Sequence, residues 1–216
     1  MFILNQKNSI ANHFLAELRD VTVQNDRMRF RKNLERIGEI LAYEVSKSLP
    51  FSKRKIEGPF GEISTALMQE QPVIISVLRA AVPFYQGIIN FFDHADSGFI
   101  GAYREEVQEK GEPVTISLNY MAAPDITDKT IILVDPMLAT GKSFMKSIQH
   151  LLANGTPRRI EIVSAIAAPE GVAHIAENLA IPHRIWTGAL DEKLNSNSYI
   201  IPGLGDAGDL AFGPKI

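Results

Sequence analysis

Apolar residues recur along this chain in two patterns. Residues 9–20 carry Ile10, Phe14, Leu15 and Leu18, and residues 27–48 carry Phe30, Leu34, Ile37, Leu41 and Val45. Both sets follow the three- and four-residue spacing of amphipathic helices, so two N-terminal helices are expected, the second capped by Asn25 or Asp26. The other pattern is the mainly apolar run. Val73–Leu78, Ile131–Val134 and Ile160–Ile166 read as strands buried on both faces of a parallel sheet. His183–Thr187, which holds the single tryptophan, reads as a further strand. Helical spacing returns after Arg79-Ala80-Ala81 through Phe92, and again at Phe144, Ile148 and Leu151/Leu152, where Gly155 ends the helix. Ala168-Pro169-Glu170-Gly171 starts one more. Between these, Val114, Ile116, Leu118 and Tyr120 alternate with Thr115, Ser117 and Asn119, the mark of a half-exposed strand. Joined to Ser97–Arg104 by the charged turn Glu105–Gly111, it predicts a projecting two-stranded arm, about residues 99–121, with Tyr103 and Arg104 at its base.

Two stretches break these periods. Leu49–Gly61, rich in Pro, Gly, Lys and Ser, reads as a connection or short edge strand. Tyr199–Gly213, with Gly203, Gly205, Gly208 and Gly213, reads as a shaped loop with no regular helix or central strand.

At 216 residues with 45% hydrophobic and 22% charged positions, the chain is expected to form one α/β domain over 1–216. The net charge of −3 favours neither nucleic acid nor an acidic membrane. The run Arg27, Arg29, Arg31, Lys32 is followed by Glu35, Glu39 and Glu44, so it reads as a solvated helix face. Cysteine is absent, which excludes disulfides, thiolate nucleophiles and zinc–thiolate sites and fits a cytoplasmic location. The N-terminus lacks a basic region followed by a long apolar core, and no apolar run approaches the roughly 20 residues of a membrane span.

The candidate chemistry lies where a buried strand meets an acid. Ile131–Val134 ends at Asp135, a loop of small residues follows over Pro136–Lys142, and a helix begins. Ligands of open α/β sheets sit at the carboxyl ends of strands, and a helix N-terminus presents unpaired N–H groups to a phosphate. Gly141-Lys142-Ser143 supplies the second half of a nucleoside-triphosphate loop, but Pro136 stands where its first glycine is required. A loop for phosphoribosyl pyrophosphate (PRPP), with the acid on the ribose hydroxyls and the loop on the 5′-phosphate, fits the order better. Arg79, also at a strand end, reads equally as a phosphate fork or a surface arginine at a helix start.

VDPMLATGKS closely resembles the VDPMLATGGS signature of the uracil phosphoribosyltransferase family, and YIIPGLGDAGD is similar to that family's uracil-binding tail. Weaker matches, AYEVS at 42–46, VLRA at 77–80, FIGAYRE at 99–105 and AAPEG at 167–171, fall in the family's order, so the resemblance runs over roughly residues 10–213. It implies the type I phosphoribosyltransferase fold, an α/β fold with a five-stranded parallel sheet flanked by helices and a hood, here about residues 195–213. The implied reaction converts uracil and PRPP to UMP and pyrophosphate, the glycosyl transfer of pyrimidine salvage.

The resemblance further implies site residues. PRPP would meet Arg79, Arg104, Asp135, Pro136, Met137, Leu138, Ala139, Thr140, Gly141, Lys142, Ser143 and Asp206, and uracil would meet Tyr199, Ile200, Gly205, Asp206 and Ala207. Asp135, Arg104 and Asp206 are the implied catalytic set. Mg2+ would be held mainly by the pyrophosphate and water, with no protein residue named as its ligand. A homodimer or higher homo-oligomer is implied, and GTP, an activator of some relatives, is a candidate effector. Three residues depart from the family: Ala81 and Lys142 stand where glycines are usual, and Leu210 stands where a basic residue is. Lys142 is expected in helical conformation with its ammonium toward the 5′-phosphate, the other outcome being a solvent-facing side chain. Two competing readings are a regulator that senses the donor or UMP and binds RNA without significant catalysis, for which no dense basic face is visible, and a small kinase, which leaves the glycine-rich tail unexplained.

Overall fold

The computed structural model describes residues 1–104 and 116–214, with side chains outside 102–119. In chain order the elements are β1 (Phe2–Ile3), α1 (Ala11–Arg19), α2 (Arg27–Ser46), β2 (Phe51–Gly58), β3 (Gly61–Met68), β4 (Val73–Leu78), α3 (Val82–Ile89), β5 (Ser97–Arg104), β6 (Ile116–Ala122), β7 (Thr130–Val134), β8 (Met137–Leu138), α4 (Lys142–Leu151), β9 (Arg159–Ala167), α5 (Pro169–Asn178), β10 (His183–Leu190), β11 (Lys193–Leu194), β12 (Ile200–Ile201) and α6 (Ala207–Phe212).

The main sheet runs β1-β10-β9-β7-β4-β5-β6. Its centre, β10 to β5, is the expected set of five parallel strands. Parallel β1 extends one edge and antiparallel β6 the other. Alternation along each buried strand splits the core in two. Ile132 and Val134 of β7 and Ile74 of β4 face α1, α2 and α3, while Ile131, Leu133, Val73, Ile75 and Val77 face α4 and α5. This two-sided covering is why these strands read as apolar runs. In α2, Phe30, Leu34, Ile37, Leu41 and Val45 are all buried, and Asp26 caps the helix by accepting from Arg29 N at 3.0 Å.

Several expectations change. Ile10 precedes α1 and is 61% exposed, so that helix's inner face is Ala11, Leu15 and Leu18. Leu49–Gly61 is no connection: β2 pairs with β3 in a separate two-stranded sheet, register Phe51↔Met68 to Gly58↔Gly61. Its apolar residues other than Met68, including Phe60 and Ile63, are exposed, so no buried face produced a readable period. The glycine-rich tail does contain regular structure, β12 and α6. Gly203, Gly205 and Gly213 take positive φ outside the helix and only Gly208 lies within it, while Asp206 caps it by accepting from Asp209 N at 3.0 Å. The basic face of α2 is engaged as well as solvated. Arg29 forks onto Glu17 at 2.6 and 2.8 Å, and Arg31 donates to the carbonyl of Ala211 at 2.7 Å.

Beyond Gly101, β5 leaves β4 after an irregularity at Gly101/Ala102 and continues against β6 to Arg104↔Ile116. The expected turn Glu105–Gly111, together with Val114 and Thr115, lies outside the described residues.

Candidate active site

The candidate residues gather at the carboxyl edge of the sheet. Arg79 follows β4, Arg104 ends β5, Asp135 follows β7, and the tail leaves from beyond β10.

The loop after β7 is laid along its neighbour. Asp135 N donates to Val163 O at 3.2 Å, Pro136 O accepts from Ala165 N and Ile166 N, and β8 pairs with Ile166 and Ala167. Ala168 N then donates to Leu138 O at 2.8 Å. The side chains of Leu138 and Ala139 are core residues, which leaves only their backbone for contact with a ligand. The Asp135 carboxylate accepts from Met137 N at 3.0 Å, a tight turn that fixes the acid at the strand end.

Gly141 directly precedes helix α4 and has φ +75°, the left-handed region that glycine enters without a steric penalty. The N-terminus of α5 backs this turn closely. A Cβ on Gly141 would stand 2.9 Å from Gly171 O, and one on Gly171 would collide with Ala139 O. The AAPEG match thus acquires a role: its glycine lets α5 close against the loop. Thr140 Oγ1 accepts from Lys142 N at 3.4 Å, and Ser143 is half-buried in the first turn.

Two family departures fit the backbone without strain. Lys142 is the first residue of α4 and Ala81 precedes α3 at φ −74°, ψ −14°, so neither needs left-handed angles. Lys142 is exposed. The third, Leu210, packs against the core that α1–α3 cover.

The tail is held by charges from distant parts of the chain. Arg19 forks onto Asp191 at 2.6 and 2.8 Å and also donates to Gly203 O. Asp191 accepts from Gly203 N at 2.8 Å. Glu170 of α5 accepts from Leu194 N at 2.9 Å, joining the helix behind the Asp135–Ser143 loop to the tail. Gly205 and Asp206 are exposed, Tyr199 is 43% exposed, and Ile200 and Ala207 are buried in the core, so a larger side chain at 207 would disturb packing as well as any ligand.

Arg79 is brought directly to this tail. Its Nη2 donates to Asp209 at 2.7 Å and to Gly213 O at 2.9 Å. The side chain of Arg104 lies outside those described. Arg19, Glu170, Gly171, Asp191 and Asp209 shape the candidate site in ways that sequence reasoning missed. Each depends on a partner remote in sequence, although Glu170, Gly171 and Asp209 lie within the AAPEG and GLGDAGD motifs.

Among the described residues no group of three or more His, Asp or Glu side chains is placed to hold a metal. Asp191 and Asp209 are engaged by Arg19 and Arg79, and Asp135 and Asp206 are the acids at the strand end and the tail that could face a bound donor. Such a donor set suits magnesium that keeps water and takes phosphate oxygens.

The family model described as "Uracil phosphoribosyltransferase" matches residues 5–214. A uracil phosphoribosyltransferase of Porphyromonas gingivalis is 44% identical over 213 residues, 99% of this chain and 98% of its own. That of Pyrococcus furiosus is 40% identical over 94% of this chain and 85% of its own. Among solved structures, the AQ2163 protein from Aquifex aeolicus superposes with a TM-score of 0.86 at 29% identity, covering all of both chains.

Proposed function

The chain belongs to the uracil phosphoribosyltransferase family, and we propose from that premise that it transfers the phosphoribosyl group of PRPP to uracil, yielding UMP and pyrophosphate. The observation that carries the reading is the run from Asp135 to Ser143, a buried strand ending in an acid and then a loop whose backbone opens at the start of α4. The test is UMP formation from uracil and PRPP, with cytosine, orotate and hypoxanthine as controls. Conversion of a control base at the rate of uracil would overturn the specificity, and conversion of none of the bases would overturn the reading.

The C1′–pyrophosphate oxygen bond breaks, the bond from uracil N1 to C1′ forms, and the N1 proton passes to the departing pyrophosphate or to solvent. Asp135 holds the ribose hydroxyls. The backbone of Pro136–Lys142 and the hydroxyls of Thr140 and Ser143 hold the 5′-phosphate at the positive end of α4. Arg79 and Arg104 carry the pyrophosphate and stabilise the charge that grows on it as the bond breaks. Ile200 and the backbone of Gly205, Asp206 and Ala207 read the edge of uracil, Tyr199 covers it, and Asp206 approaches the ribose. No side chain serves as nucleophile, so the rate depends on alignment of N1 with C1′. Magnesium, when bound through the pyrophosphate and water, neutralises part of the donor's charge.

In this reading residues 1–216 are one domain, with the β5–β6 extension as its arm and the tail as its hood. The enzyme works in the cytoplasm as a homo-oligomer. What supports association is the β2–β3 hairpin. Two-stranded sheets are marginal alone, and this one exposes Phe51, Ile56, Phe60, Ile63 and Leu67. Light scattering on Phe60→Ser/Ile63→Ser tests it, since a mass unchanged from the parent's removes the hairpin from any interface. GTP added to the UMP assay tests activation.

A further inference from the structure

Arg79 is half engaged. Its Nη2 is taken up by Asp209 at 2.7 Å and Gly213 O at 2.9 Å, while its Nε is buried without a hydrogen-bond partner among the described residues. Nε–H and one Nη–H form the side edge of the guanidinium, the fork that grips two oxygens of a carboxylate or phosphate at once. Asp209 therefore occupies only part of that fork, and an unpaired buried donor is costly. The tail approaches the open part closely, because a Cβ on Gly208 would lie 3.6 Å from Nε. Arg79 and Asp209 side chains remain 36% and 41% exposed, so a ligand can reach the pair.

Asp209 also belongs to the base side of the site. It lies in the first turn of α6, its N–H donates to the Asp206 carboxylate at 3.0 Å, and α6 starts directly after Gly205 and Asp206. One ion pair thus joins the arginine at the end of β4 to the segment that meets uracil.

We propose that Asp209 is a positioning residue that holds Arg79 to the tail in the free enzyme, and that the pyrophosphate of the donor displaces it by completing the guanidinium fork. This rests on the assignment of Arg79 to the pyrophosphate. Donor and base sites are then coupled. Before PRPP arrives, Asp209 offsets the charge of Arg79 and pins α6. When pyrophosphate takes Arg79, α6 is released to settle on the base.

The first test needs no variant. Hydrogen exchange of amides 207–213 is followed in the parent protein with and without inorganic pyrophosphate and magnesium, and faster exchange on addition is expected. Pyrophosphate that binds without altering this segment overturns the proposal. The second test titrates PRPP by calorimetry into the parent, Asp209→Asn and Asp209→Glu. Removing the competing charge should tighten donor binding about fivefold, the scale of a partly exposed ion pair. The KM for uracil at limiting PRPP should fall in the same variant, because the tail is already released before the donor arrives. Asp209→Glu should restore both values toward those of the parent. A merely structural role would weaken both ligands together, so unchanged or weaker donor binding in a folded Asp209→Asn overturns the proposal. A parent protein that binds neither PRPP nor pyrophosphate overturns the functional reading itself, a different result from donor binding that ignores Asp209.

Discussion

Gly171→Ala tests whether the phosphate loop is shaped by the helix behind it. The new Cβ would collide with Ala139 O and lie 3.0 Å from Ala139 C and 3.1 Å from Leu138 O. All three atoms are backbone, so no flexible side chain can move aside. The loop is also constrained, because Leu138 O accepts from Ala168 N at 2.8 Å and β8 is paired to β9. Relief must come from a shift of α5 or of the Ala139–Gly141 turn, by a few tenths of an ångström to reach ordinary contact at two of those atoms and by more at Ala139 O. Overpacking of this kind costs about 1–3 kcal/mol, and alanine in place of a helical glycine returns at most about 1 kcal/mol. The net loss is about 0–3 kcal/mol, or up to about 12 °C in Tm for a chain of this size. The functional effect should be larger. The turn that moves carries the backbone proposed to bind the 5′-phosphate, and a misplacement near 1 Å can cost up to about a hundredfold in rate. The expected result is a rise of about tenfold in the KM for PRPP, with the KM for uracil near that of the parent. Initial rates of UMP formation across PRPP at saturating uracil, with a thermal melt of each protein, make the measurement. A variant with the parent's KM for PRPP refutes the reasoning.

Three further outcomes are expected. Asp135→Asn should leave the melt close to that of the parent while raising the KM for PRPP or lowering kcat about tenfold or more, as expected of a contact with the ribose hydroxyls; parent-like kinetics would remove Asp135 from the donor site. Lys142→Gly should raise the KM for PRPP and flatten its dependence on salt, since an exposed lysine at the start of a phosphate-binding helix acts through charge; equal donor affinity across a salt series would make Lys142 a surface residue only. Glu17, which joins α1 to α2, has its pKa lowered from 4.5 to about 2 by hydrogen bonds from Arg29 and then Asn33. Its folded-state pKa lies below its unfolded value, so its stabilisation is complete above pH 4.5 and is lost as pH falls toward about 2. Glu17→Gln should lower Tm at neutral pH and show a shallower acid decline than the parent between those limits, and parallel declines would count against the linkage.

The parts of this protein legible in the amino-acid order are those set by neighbours in the chain. Ile131–Val134 reads as a buried strand because covering both faces of a sheet demands apolar residues at every position. Asp135, Gly141 and Ser143 read as a ligand loop because a strand end, a small-residue turn and a helix start follow without interruption. The resemblance in VDPMLATG and GLGDAGD then carried the family, since each motif is contiguous in the chain.

Tertiary structure decided what depends on distant partners. Arg19 and Asp191 are 172 residues apart, and Arg79 and Asp209 are 130 apart. Such pairs leave no period and no local composition to read. The need for glycine at 171 exists only because Ala139 passes behind it. The β2–β3 hairpin escaped notice because both its faces meet solvent, and hydrophobic alternation appears only where one face is buried. Helix α6 escaped because its flanking glycines suggested a loop, while its stability comes from the Asp206 cap, from Arg31 on the Ala211 carbonyl, and from Ala207 and Ala211 pressed into a core built by α1, α2 and α3.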